Sequence, residues 1–166
     1  MRPIANFIAT VAGAGHLRPA PGTWGSLVSL PLAYAVYIAG GFWALVLGTL
    51  IAFALGWWAT SVATQGQDDH DPSEIVIDEL AGQWIALLPT LYAAHIHDIP
   101  ALALYPGWIT AFLLFRLFDI TKPGPIGWAD RRGDALGVML DDVIAGVFAA
   151  IGTMIFAGIW HGVLGL

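Results

Sequence analysis

Long stretches free of charge alternate with short polar ones along this chain, and the alternation predicts its elements. Between residues 19 and 67 there is no charged side chain, whereas a soluble helix presents a polar face about every turn. Hydrocarbon rather than water is the expected surrounding. Residues 1–25 read as a Gly- and Pro-rich lead-in. Two apolar segments follow, at 27–39 and 42–63, divided by Gly40-Gly41. The first falls short of the ~20 residues a span needs, so it is expected to tilt, to re-enter, or to extend back to Trp24. A third segment covers 75–94, after a polar acidic stretch at 65–74. A fourth covers 101–118, interrupted by Pro106-Gly107. A last one covers 143–164, after a loop at 121–140 rich in charge, Gly and Pro. The pattern predicts an all-α fold. It is one membrane-embedded domain over 1–166, a polytopic bundle of about four to five apolar helices with a polar site at the cytoplasmic end.

Composition supports the membrane reading: 11% of residues are charged and the mean hydropathy is +0.75, against about a quarter charged in ordinary soluble domains. The absence of Cys excludes thiolate nucleophiles, disulfides and thiolate-metal sites. A net charge of −6 with clustered acids argues against nucleic acid as a partner. No removable signal peptide is expected at the N-terminus. If the five segments alternate across the bilayer, the lead-in, the 65–78 stretch and the 119–141 loop share one face. That face holds every base: Arg2, Arg18, Arg116, Lys122, Arg131 and Arg132. By the positive-inside rule it is cytoplasmic. It also holds every acid except Asp98, so the polar segments are expected to form one site.

Carboxylates beside apolar runs are the candidate chemistry, because an ionised group near hydrocarbon costs a few kcal/mol unless it is paired, hydrated or bound to a cation. Asp78-Glu79 follow the apolar triplet Ile75-Val76-Ile77, where a polar cap would normally open a helix. Asp141-Asp142 are read as opening the last span. Arg116, Asp119 and Lys122 recur every third residue, which aligns them along one side of a helical turn. Two bases around an acid can grip a phosphate while the acid holds a metal. Lys122-Pro123 should end that helix. Pro21-Gly22-Thr23-Trp24-Gly25-Ser26 precedes an apolar helix and suits an anion cradle of amides and hydroxyls, although a routine N-cap explains the same residues. Asp68, Asp69, His70 and Glu74 read as a solvated acidic turn, with Asp71 an outer candidate. Hard oxygen donors without thiols suit Mg²⁺. His16, His70, His95, His97 and His161 are too scattered for zinc, and His95 and His97 fall at the opposite interface.

These residues resemble the phosphatidylglycerophosphatase A family. The matching stretches are APGTWGSL at 20–27, EIVIDELAG at 74–82, FRLFDITKPGPI at 115–126 with Asp130, and LGVMLDDVIAG at 136–146. Each is weak alone; together, in order, they are specific. The resemblance implies a Mg²⁺-dependent phosphatase of the bacterial inner membrane that converts phosphatidylglycerophosphate to phosphatidylglycerol and phosphate, its partners being that phospholipid and the bilayer. It carries over to Asp78, Glu79, Arg116, Asp119, Lys122, Asp130, Asp141 and Asp142. One or two Mg²⁺ would be held among Asp78, Glu79, Asp119, Asp141 and Asp142. Arg116 and Lys122 would stabilise the phosphoryl oxygens, and Gly22, Thr23, Gly25, Ser26 and Asp130 would orient substrate. The base is expected to be Asp78 or Glu79, with a phospho-aspartate route left open. Two departures stand out: Gly124 occupies a position where the family usually has an aromatic, and Asp134-Ala135 replace a Gly-Gly pair, so Asp134 is not expected in catalysis. The other reading is a cation channel or carrier, which would want acids near mid-span rather than at span ends.

Overall fold

The computed structural model describes residues 1–67 and 72–163. Among these residues there is no strand. Six α-helices follow the apolar pattern: α1 (Arg2–Ala9), α2 (Pro21–Ala63), α3 (Ile77–Ile96), α4 (Tyr105–Thr121), α5 (Pro125–Asp130) and α6 (Ala135–Val163). Short 3-10 turns at Ala14–His16 and Ala101–Leu104 lead into α2 and α4.

At 43 residues, α2 would be about 65 Å long if straight, twice the ~30 Å of a bilayer's hydrocarbon core. It breaks at Gly41 (φ 76°, ψ −171°), a conformation open to glycine and closed to side-chain-bearing residues. Its two halves are the two segments read from the sequence, and the first does extend back past Trp24. Three helical stretches are long and apolar enough to cross a membrane: Pro21–Ala63, Ala101–Thr121 and Ala135–Trp160. Only 22% of each apolar window is buried within the protein. Side chains such as Leu50, Leu113 and Ile155 point outward, as they do on helices that face lipid.

The helix α3 is different. Twelve of its 20 residues are buried, so it is the centre around which α2, α4 and α6 pack. The division of α2, with central α3 between it and the other spans, accounts for the four to five apolar helices expected. Exposed aromatics sit near both ends, with Trp24, Trp57 and Trp128 at one and Trp43, Tyr92 and Tyr105 at the other, as in interfacial belts.

Two expectations need correction. The lead-in contains α1, an eight-residue helix with Ala5 and Ala9 buried one turn apart; so short a pattern, without charged periodicity, looks like irregular chain. And α6 starts at Ala135, eight residues before the expected boundary, so Asp141-Asp142 lie two turns inside the helix and do not open it. The start is set by Asp134, whose Oδ1 accepts the Gly137 amide at 2.7 Å while its carbonyl accepts the Val138 amide at 3.1 Å. This is an N-cap. Asp134→Ala is therefore expected to lower the thermal midpoint of the detergent-solubilised protein, a loss of about 1 kcal/mol. An unchanged midpoint would count against the cap.

Candidate active site

Four helices deliver charged side chains to one end of the bundle. The first turn of α3 carries Asp78 and Glu79, and the last turns of α4 carry Arg116 and Asp119. Lys122 follows as the left-handed cap of α4 (φ 44°, ψ 51°), a conformation that costs a non-glycine residue about 1 kcal/mol. Asp130 ends α5, and Asp141 and Asp142 come from α6. What lets α3 and α6 approach is Gly82: a Cβ there would lie 2.5 Å from the Asp142 carbonyl oxygen and 2.5 Å from a Phe115 ring carbon. Backbone nearly touches backbone at this crossing, and the acids one turn away are drawn together.

The carboxylates form two overlapping groups. Oxygens of Asp78, Glu79 and Asp142 lie within 4.8 Å of one another, and so do those of Asp119, Asp141 and Asp142. Asp142 belongs to both. Asp78, Asp119, Asp141 and Asp142 are buried. Two like charges at this spacing repel by roughly 3.5 kcal/mol at an effective dielectric of ~20. A fully ionised trio would thus oppose folding by about 10 kcal/mol, as much as a whole domain's stability. The repulsion must be relieved, by opposite charge or by protons held on some of the acids.

Part of that relief comes from two bases. Arg116 Nη1 lies 2.5 Å from Asp119 Oδ2 and 4.0 Å from Glu79 Oε1, and donates to Ser26 Oγ at 3.4 Å. Lys122 Nζ contacts Asp130 Oδ1 at 2.6 Å and also Asp141 Oδ2. Burial disfavours the Lys122 ammonium, but the carboxylates of Asp130 and Asp141 outweigh it and hold its pKa well above the ordinary lysine value. Lys122 stays charged at any physiological pH. With Asp130 included, six acids stand against two bases, so the acids outnumber the bases by four. Either trio offers three hard oxygen donors, and Glu79 Oε2 is buried without a hydrogen-bond partner. These are features a small divalent cation such as Mg²⁺ would satisfy.

The stretch at 22–26 takes another form than the expected loop. It is the first turns of α2, behind Ala20 in the left-handed region. The amides of Thr23 and Trp24 donate to the Ala20 carbonyl, so they do not form an anion cradle. Ser26 donates to the Gly22 carbonyl at 2.8 Å and steadies Arg116. Gly25 is a packing residue, where a Cβ would meet the Val76 side chain at 2.7 Å. Gly22 is the member that faces the acids: a Cβ there would collide with Glu79 Oε1 and lie 3.2 Å from the Arg116 guanidinium. Thr23, half-buried, completes the turn. Gly124 (φ 54°, ψ −113°) adopts a backbone conformation that favours glycine over a side-chain-bearing residue.

One polar group escaped the sequence reading. Gln83 is fully buried, and neither of its amide atoms has a hydrogen-bond partner. It stands one turn beyond Glu79 on α3, where residues four apart are neighbours. A lone amide in an apolar run was the available signal. His95 lies at the far end, stacked on Phe42 with centroids 6.0 Å apart, and His97 caps the same helix end. Asp68, Asp69, His70, Asp71 and the side chain of His161 lie outside the described residues.

The same assembly of motifs recurs in known proteins. The family described as Phosphatidylglycerophosphatase A matches residues 7–157. A Haemophilus influenzae protein named Phosphatidylglycerophosphatase A is 36% identical over 147 residues, covering 88% of this chain and 84% of that one. An Escherichia coli protein of the same name is 33% identical over 164 residues, covering 97% and 87%. A Bacteroides thetaiotaomicron protein, provisionally named for phosphatidylinositol-3-phosphatase activity, is 38% identical over 150 residues, covering 87% and 88%. No solved structure matches the chain. The match spans all four helices that bear the acids and bases, and this chain belongs to the phosphatidylglycerophosphatase A family.

Proposed function

We propose that this protein hydrolyses the terminal phosphomonoester of phosphatidylglycerophosphate, yielding phosphatidylglycerol and phosphate, at the cytoplasmic face of the inner membrane. The observation that carries the reading is the pair of carboxylate groups joined at Asp142 and flanked by Arg116 and Lys122. The substrate follows from the names of the relatives. The orientation follows from the bases, all at the end of the bundle where the acids lie.

The residues fit Mg²⁺, which would be held by Asp78, Glu79 and Asp142, by Asp119, Asp141 and Asp142, or by both groups. When bound, such an ion polarises phosphoryl oxygens and lowers the pKa of water. The protein does the rest by position. Arg116, oriented by Asp119 and Ser26, directs its guanidinium at the equatorial oxygens where charge spreads in an in-line displacement. Lys122 adds a fixed positive charge from the α4–α5 side, with Asp130 holding its ammonium. One of the two α3 carboxylates, Asp78 or Glu79, takes the proton of the attacking water while the other stays with the metal-holding group. The new P–O bond forms from that water as the bond to the glycerol oxygen breaks; the leaving alkoxide takes a proton from solvent at the headgroup layer, and the base returns the proton it took to solvent. Gly22, with no side chain, lets Glu79 and Arg116 pack directly against the start of α2.

The channel or carrier reading draws less support, since the acids crowd at one end of the bundle and not at mid-span. Phosphate release by purified protein from phosphatidylglycerophosphate and from phosphatidylinositol 3-phosphate, each with Mg²⁺ and with EDTA, tests the proposal. Release from the first lipid should stop in EDTA and return with added Mg²⁺. Release undiminished by chelation would remove the metal, and release from the inositol lipid alone would replace the substrate.

A further inference from the structure

We infer that α1 is an interfacial anchor: a helix lying in the headgroup layer, with Ile4 and Phe7 inserted among the outer acyl carbons of the leaflet that borders the acid cluster. The helix is tied at both ends to the connection between α2 and α3. Arg2 Nη2 donates to the Gln65 carbonyl at 2.6 Å, and the Ala9 carbonyl accepts the Val76 amide at 2.9 Å. Gln65 lies just past the end of α2 and Val76 just before α3. An eight-residue helix is about 12 Å long; running along a span, one end would lie that much deeper. With both ends held at one level, α1 crosses the end of the bundle.

Its two faces differ. Ala5 and Ala9 pack inward, while Ile4 and Phe7 are 63% and 62% exposed. Two large apolar side chains one turn apart, facing outward, would sit badly in water. The occupant that fits is the bilayer, because the outward apolar surface of α2, which α1 packs against, is already committed to lipid. Arg2 and Arg18, both exposed at this end, suit an anionic headgroup layer. The consequence reaches the site. The Ala9–Val76 bond lies two residues before Asp78, so the depth of α1 sets the height of the first carboxylates relative to lipid phosphates.

The chain has no Cys, so single-cysteine labelling is clean. Ile4→Cys, Phe7→Cys and, as a control in the polar loop, Arg131→Cys would each carry a nitrobenzoxadiazole fluorophore. The full-length protein is reconstituted in phosphatidylglycerol–phosphatidylcholine vesicles. Labels at 4 and 7 should lose fluorescence to a spin label on the upper acyl chain and resist aqueous iodide, with the label at 131 behaving oppositely. Iodide quenching at 4 and 7 would overturn the inference. So would shielding from both quenchers with energy transfer between copies labelled at 7, which would mean that a second copy covers the face. No activity is read, so this inference and the phosphatase reading fail separately.

Discussion

Asp142→Asn should lower Mg²⁺-dependent phosphate release on the order of 10³-fold, about 4 kcal/mol of transition-state stabilisation, because Asp142 is the residue common to both carboxylate groups. Replacing any other acid leaves one trio complete; replacing this one impairs both. The same substitution should raise the thermal midpoint of the protein in EDTA, since an amide there neither adds charge to the crowded acids nor needs a proton in order to be buried among them. Loss of activity with gain of metal-free stability is the signature of a site built for its ligand and against its own fold. Mg²⁺ at ~100 times its dissociation constant should stabilise the wild type by about 2.7 kcal/mol, and the variant by clearly less. Thermal unfolding with and without Mg²⁺, run beside the phosphate assay, reads all three effects. An active Asp142→Asn variant, or one equally stabilised by Mg²⁺, would dissolve the two-group site.

Arg116→Lys should cost about 10²-fold in kcat while keeping the Mg²⁺-induced rise in thermal midpoint. The charge is retained, so the acids stay partly neutralised. The planar fork is lost, and a lysine ammonium cannot keep contact with Asp119 and Ser26 while presenting donors to a phosphoryl group. Arg116→Ala should do worse on both counts, since it also leaves Asp119 without its partner. If Arg116→Lys works at the wild-type rate, the guanidinium is there to balance charge and not to hold the transition state. Arg116 is already engaged by Asp119, and Lys122 by Asp141. Each base is therefore bonded to an acid that would also hold the cation, and metal binding and substrate binding are expected to depend on each other.

Much of the fold was legible because a bilayer imposes a simple grammar. The uncharged run from 19 to 67 pointed to membrane helix over most of its length, and Gly40-Gly41 marked the break between its two halves. Local electrostatics was harder to read. Asp134 looked like one more charge in a polar loop, although it caps α6 and moves that helix's start eight residues upstream. Helix α1 was missed because eight residues with two buried alanines carry too little pattern. The candidate site was legible as a set of residue types at repeated motifs, but motif membership did not separate roles. Gly25 and Gly22 stand three residues apart in one motif, yet one packs against Val76 and the other against Glu79 and Arg116 of the charged cluster. Gln83, outside any motif, is buried one turn from the acids.

The amino-acid order alone determined a chain of apolar helices with its bases and all its acids but Asp98 at one end, because hydropathy and charge act residue by residue and need no partner. Which acid meets which was decided by tertiary packing. The close crossing at Gly82 brings α6 against α3 and makes Asp142 common to two groups, and the capped turn after α4 delivers Lys122 to Asp141. Those pairings depend on distances between helices far apart in the chain, set by the few positions where a missing side chain lets backbones touch.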